Sequence, residues 1–229
     1  TELAAVASRD VRKITAFQNF APNCRAISSY EELINDPEID VIYIPLPHHL
    51  HKEWAIRAMN AGKHVLAEKP IAMHHCDFED LLETRNTTDL LISEAFMIVH
   101  HPQWQRARQM VGNGAIGKVI HITGGFSYDN SDDPKNIRNQ AEMGGGGLRD
   151  IGIYTIGSAR YVMDKELENI SAKVRLESGF DVFASIQGTI GDAEYSTYVS
   201  TRMHPHQEML FHGSEGILRL TAPFNPNVF

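Results

Sequence analysis

Cysteine is nearly absent from this chain. Cys24 and Cys76 are the two it has in 229 residues. They are too few and too far apart for a disulfide framework or a zinc knuckle, and both read as reduced structural thiols. Long apolar runs are missing as well. No uncharged stretch approaches the roughly 18 residues that cross a bilayer, and the first residues do not form a signal peptide. A soluble, cytoplasmic protein with no membrane partner is expected. Basic residues are the scarcer charge, 21 against 29 acidic ones, for a formal net charge of -8. Scattered as they are, they offer no electrostatic footprint for nucleic acid or an anionic lipid surface. The histidines include His48, His49, His51, the pairs His74-His75 and His100-His101, and His204 with His206. None has the helical i, i+4 spacing with a carboxylate that zinc enzymes use, so no metal is expected.

Two successive patterns fill the length, which suits one large domain or two small ones. Up to residue 96, short β-branched runs alternate with segments whose apolar residues recur three and four apart. Strands are predicted at Leu3–Ser8, Arg25–Ile27, Val41–Leu46, His64–Ala67 and Leu90–Ala95. Helices are predicted at Val11–Phe20, Tyr30–Asn35, Lys52–Ala61 and Asp77–Arg85, with Ser28 and Ser29 as an N-cap and Gly62 as a C-cap. Alternating βα units of this kind form a doubly wound parallel sheet. From residue 97 the pattern changes to a helix at Trp104–Val111, a long strand at Lys118–Tyr128 and an irregular stretch, Asp129 to Gln140. The glycine run Gly144 to Gly147 then opens a helix reaching Val162. Further strands are predicted at Ala172–Glu177, Val182–Thr189, Glu194–Ser200, Gln207–His212 and Ile217–Thr221. The expectation is a second, α+β domain on a mostly antiparallel open sheet, with domains 1–96 and 97–229.

The predicted strand His64–Ala67 runs into Glu68-Lys69-Pro70. Proline restricts the residue before it, so the turn can aim one ammonium group at the carboxyl end of a parallel strand, where open α/β sheets place ligands. Lys69 is therefore a candidate catalytic residue, although a lone Lys-Pro more often marks a surface lysine beside a turn. Gly112-Asn113-Gly114-Ala115-Ile116-Gly117 matches the dinucleotide fingerprint in letters. A helix enters it and a strand leaves it, the reverse of what that fingerprint needs, so a helix cap and tight turn explain it better. Ser8 and Arg9 end the first strand, where an arginine accommodates a ribose 2′-phosphate and an acid selects the free hydroxyl. They favour the phosphorylated cofactor, while Asp10 fits a helix cap and an ordinary strand-end arginine stays open. Asp150 and Tyr154 share one helical face at i, i+4. A nearby ammonium stabilises a phenolate, so Lys69, Tyr154 and Asp150 together could accept a hydroxyl proton as hydride leaves the same carbon.

The ordered blocks Ala7-Ser8-Arg9, Tyr43 to His51 (Y-I-P-L-P-H-H-L-H), Glu68-Lys69-Pro70, Glu94-Ala95-Phe96-Met97, Asn136 to Gln140 (N-I-R-N-Q) and Gly144 to Tyr154 (G-G-G-G-L-R-D-I-G-I-Y) resemble the Gfo/Idh/MocA oxidoreductases. The similarity covers nearly the whole chain and is greatest to the branch of xylose dehydrogenases, dimeric dihydrodiol dehydrogenases and glucose-fructose oxidoreductase. The resemblance implies a nicotinamide-dependent dehydrogenase of a sugar or diol, using NADP with NAD possible. It implies a dinucleotide-binding domain, 1–96, then a substrate-binding and dimerisation domain, 97–229. By the same analogy Lys69 orients the reacting hydroxyl and relays its proton, Tyr154 fills the acid/base place and Asp150 holds the pair in register. Pro45, Leu46, Pro47 and His51 line the nicotinamide pocket with Glu68 nearby, and Arg138 lies near the substrate in a closing loop. A homodimer or higher homo-oligomer through the C-terminal sheet is implied as well.

Three departures accompany the match. Ile98 and Val99 stand where relatives carry an aromatic residue and an arginine, which leaves substrate preference open. The chain also begins at what the family would count as its second strand, so the first strand and its glycine-rich loop are expected to be missing. It stops at Pro223-Phe224-Asn225-Pro226-Asn227, where relatives continue. The alternative expectation is therefore an inert fragment, or a relative that senses or scaffolds a dinucleotide without turnover.

Overall fold

The computed structural model describes residues 2–19 and 21–226. It divides into two compact units, Thr1–Ala95 and Phe96–Phe229. Phe20, where the first helix was expected to end, and Asn227 lie outside the described residues.

In the first unit, β1 (Ala5–Ala7) pairs in parallel with β2 (Arg25–Ile27). Then β3 (Val41–Ile44), β4 (His64–Ala67) and β5 (Ile92–Glu94) form a second parallel ladder, with Ile44 opposite Ala67 and Ala67 opposite Glu94. No ladder joins the two among the described residues. The parallel strands of the first unit thus form two separate ladders among the described residues. Helix α1 (Thr15–Gln18) is short because a 3-10 turn, Val11–Lys13, precedes it. Helix α2 (Tyr30–Asn35) begins where the Ser29 Oγ accepts the Glu32 N–H at 3.3 Å. Helix α3 (His51–Asn60) buries Ala55, Ala58 and Met59 completely, and α4 (His75–Thr88) packs beside it. Gly62, at φ +82°, turns the chain from α3 toward β4 in a conformation that side chains resist. The helices cover one face of β3, where Ile42 and Ile44 are buried. On the other face Val41 and Tyr43 remain 55% and 52% exposed.

In the second unit, α5 (Pro102–Gly112) and α6 (Ile153–Met163) pack together. Helix α6 lies on a six-stranded sheet of β6 (Val119–Asp129), β7 (Leu167–Glu177), β8 (Phe180–Ile190), β9 (Ala193–Ser200), β10 (Arg202–Gly213) and β11 (Ile217–Leu220). The order is β11-β10-β6-β9-β8-β7, parallel only between β6 and β9. Trp104, Ile122, Tyr195, Val199, Met209 and Phe211 form its core. Strand β10 starts five residues earlier than expected because a register shift between Arg202 and His206 accommodates Pro205, which has no N–H for the ladder. The Gly112 to Gly117 segment is a helix end and turn. A Cβ on Gly117 would lie 2.3 Å from the Ser214 Oγ, so glycine lets this turn meet the Gly213 to Gly216 turn. Among the described residues, no helix is long and apolar enough to cross a membrane. Neither cysteine is in a disulfide, and Cys24 is buried; Cys76 is exposed, so a packing role fails for it.

Candidate functional site

The first unit places most of its candidate residues at the carboxyl ends of β3, β4 and β5, with Ser8 and Arg9 at that of β1. Strand β4 ends at Ala67, and Lys69 follows at a cis peptide bond to Pro70. The Glu68 carboxylate accepts the Tyr43 hydroxyl at 2.6 Å and the Lys69 N–H at 3.3 Å. Partial desolvation at the hydroxyl of the otherwise exposed Tyr43, together with its bond to the Glu68 carboxylate, pushes the phenol up to about 12. From β5, Glu94 accepts the Ile71 N–H at 2.8 Å, which ties the segment after Pro70 back to the sheet. Burial raises the Glu94 carboxyl, opposed by the Ile71 bond and the charges of Lys69 and His51.

Pro45 is exposed and Leu46 and Pro47 are half-buried on the loop leaving β3. His51 was expected to line a nicotinamide pocket with them, and its position corrects that. It is fully buried, its Nδ1 2.8 Å from the Pro70 carbonyl oxygen and its Nε2 2.6 Å from that of Leu46. Such a ring cannot face a ligand; it braces the β3 loop against the Lys69-Pro70 turn. At the end of β1, Arg9 is exposed, while the half-buried Ser8 accepts the Asp10 N–H at 3.1 Å. Asp10 accepts the Arg12 N–H at 3.2 Å, the cap expected of it.

The second unit holds the other candidates. The glycine run leads into a π-turn, Leu148–Gly152, that continues as α6, where a plain α-helix was expected. Asp150 is in the π-turn, 3% exposed, and Tyr154 is in the first turn of α6. The Asp150 Oδ2 pairs with the Arg138 Nε at 2.9 Å and accepts the Tyr128 hydroxyl at 2.6 Å. Arg138 is in a 3-10 turn, Ile137–Asn139, with its side chain 41% exposed. The Tyr154 ring is half-buried among Phe96, Phe126 and Phe224, with centroids at 5.7, 5.9 and 5.4 Å.

Two residues of this network escaped the sequence. Tyr128 ends an alternating strand and carried no motif, and burial beside the Asp150 charge raises its phenol. Asp181 sits between Phe180 and Val182 on β8, 9% exposed, and its Oδ2 accepts the Leu148 N–H at 2.7 Å. A lone carboxylate at the head of an apolar strand was the available signal.

Residues 1–96 match the model described as oxidoreductase family, NAD-binding Rossmann fold, and residues 104–219 match the GFO/IDH/MocA C-terminal domain. An uncharacterized oxidoreductase of Rhizobium meliloti is 40% identical over 228 residues, covering 98% of this chain and 68% of the relative. A trans-1,2-dihydrobenzene-1,2-diol dehydrogenase of Xenopus tropicalis is 32% identical, covering 96% and 67%. Among solved structures, a 3-ketoreductase from Actinomadura kijaniata in complex with NADP and TDP-benzene superimposes with a TM-score of 0.90 at 32% identity, covering 99% of this chain and 70% of that one. A parallel Rossmann half bearing the Lys-Pro turn, followed by an open, mostly antiparallel sheet covered by the helix that carries Tyr154 and the π-turn that carries Asp150, is accordingly the frame of the GFO/IDH/MocA oxidoreductases, the family to which this chain belongs.

Proposed function

We propose that this protein moves a hydride between a nicotinamide dinucleotide, NADP in preference to NAD, and the hydroxyl-bearing carbon of a sugar or diol. The observation that carries this reading is Lys69, held beside Pro70 where a parallel strand ends and ligands of such sheets bind. Residues 1–96 bind the dinucleotide, with Ser8 and Arg9 toward the adenosine ribose and its 2′-phosphate. Pro45, Leu46, Pro47 and Glu68 serve the nicotinamide side. The dinucleotide, when bound, supplies the hydride chemistry; the protein's part is orientation and the proton.

Lys69 orients the reacting hydroxyl and relays its proton, and Tyr154 exchanges that proton as acid and base. Asp150 maintains their charge balance, and Arg138 serves the substrate while holding Asp150. Residues 97–229 bind the substrate and pair copies of the chain through the open sheet face, giving a cytoplasmic homo-oligomer. The 3-ketoreductase with TDP-benzene and the diol dehydrogenase support a sugar-like or cyclic diol substrate.

NADP+ and NAD+ are titrated calorimetrically, and reduction of each is followed with D-xylose and with trans-1,2-dihydrobenzene-1,2-diol. Tighter NADP+ binding that weakens in Arg9→Ala, with kcat lowered about 100-fold or more in Lys69→Ala and Tyr154→Phe, is expected. Unchanged turnover in both variants would remove the assigned roles.

A further inference from the structure

A chain of contacts ties a buried carboxylate on β8 to both partners of the Asp150–Arg138 pair. Asp181 accepts the Leu148 N–H at 2.7 Å through Oδ2. That amide begins the turn that bears Asp150, whose own N–H donates to the Gly146 carbonyl at 3.1 Å. On the opposite side, the Gly146 N–H donates to the Arg138 carbonyl at 3.1 Å and the Gly145 N–H to the Gln140 carbonyl at 2.9 Å. The circuit closes where the Arg138 guanidinium meets the Asp150 carboxylate.

The glycines are what let the circuit be so tight. Gly146 has φ +117°, and a Cβ there would lie 2.2 Å from the Asp181 Oδ1. A Cβ on Gly145 would lie 2.6 Å from the Arg138 carbonyl oxygen. The run is thus a spacer with the Asp181 carboxylate on one side and the Arg138 loop on the other. A carboxylate suits the place because its Oδ2 accepts the Leu148 N–H and its charge complements the positive end of the helix. An ordinary helix cap would need neither the second contact face nor the link to Arg138.

We propose that Asp181 is a positioning residue that sets Asp150, Tyr154 and Arg138 in their working geometry by clamping the glycine run. This rests on the proposed function for what that geometry achieves. Displacing reacting groups by about 1 Å is enough to slow turnover about a hundredfold.

The test compares Asp181→Ala, Asp181→Asn and Gly146→Ala with the unaltered chain. The measurements are kcat and KM with NADP+ and D-xylose, thermal unfolding, and the 13Cζ resonance of Tyr128 in tyrosine-labelled protein. In Asp181→Ala, kcat falls about a hundredfold while KM for NADP+ stays within about twofold, and the Tyr128 resonance moves as its bond to Asp150 loosens. Gly146→Ala does the same, and Asp181→Asn, which keeps one acceptor oxygen, recovers part of the loss. Lowered thermal stability with kcat and the Tyr128 resonance unchanged would make Asp181 a helix cap alone and overturn the proposal. Should Asp181→Ala not fold, Asp181→Asn and Gly146→Ala decide by the same readouts. Should the unaltered chain not oxidise D-xylose, the proposed substrate fails there, and the Tyr128 resonance decides the positioning role by itself.

Discussion

Glu94 shows how one side chain couples the Lys69 turn to pH. Burial raises its carboxyl above the ordinary value of 4.5 despite the Ile71 N–H and the nearby Lys69 and His51 charges, while Glu68 pushes the same way as burial. The folded protein therefore holds this proton more tightly than the unfolded chain does. Stability from this group is present below the unfolded value and is lost as pH rises through the raised one. Glu94→Gln keeps an oxygen for the Ile71 N–H and removes that dependence. Its unfolding free energy relative to the parent is expected to rise from pH 4 toward neutrality, and a urea series across that range checks it; a flat difference would contradict the buried charge. Arg138 presents the converse case. Its removal leaves Asp150, 3% exposed, with one fewer charged partner. Arg138→Ala is expected to cost about 1–3 kcal/mol in chemical denaturation. At this scale the sequence identified Lys69, Asp150, Tyr154 and Arg138 as candidates by residue type and motif. It could not foresee that His51 would face two carbonyls, because each of those contacts depends on how a loop returns.

Among the elements, the strands and helices of the first unit were legible because their apolar periods and end signals agree. Strands β2 and β4 and helix α2 fall on the predicted residues. The end of α2 adds something the pattern did not reveal. Lys63 is 7% exposed, and its Nζ donates to the Asp36 carbonyl at 2.7 Å and the Ile39 carbonyl at 2.6 Å. It thereby satisfies acceptors just past the helix end, where the helix dipole also favours a cation. Lys63→Met keeps much of the buried stem but orphans the Ile39 carbonyl, while the Asp36 carbonyl retains the Ile39 N–H at 3.2 Å. The substitution is expected to destabilise the first unit by about 1–3 kcal/mol in a urea melt. Strands β7 and β10 run longer than predicted, since bulges at Glu168 to Ser171 and around Pro205 let them pair through residues that break alternation. The π-turn at Leu148–Gly152 was likewise invisible, because glycines permit many backbone paths and contacts elsewhere select one.

On the scale of the whole molecule, the six-stranded sheet has one face under α6 and another carrying half-buried Thr123, Ser185, Ser196 and Tyr198 with Lys173 and Arg175 on the edge strand. If copies of the chain pair across this face, the double variant Ser185→Glu/Ser196→Glu puts like charges at the contact. A sedimentation experiment is then expected to show the parent as an oligomer and the variant as a monomer of 25.7 kDa. A monomeric parent would remove that face from the proposal.

Composition and period by themselves determined the two-part order of the chain: a parallel βα region, then an open, mostly antiparallel sheet. Those signals are local, since a buried face leaves its spacing in the sequence whatever lies opposite. The motif blocks likewise determined the family and singled out Lys69, Asp150 and Tyr154 as candidates. Tertiary structure alone decided which groups meet: Tyr128 and Arg138 on Asp150, Asp181 against the glycine run, and His51 behind the Lys69-Pro70 turn. Such contacts join residues far apart in the chain, and their energy depends on a geometry of a few tenths of an ångström that no spacing of letters records.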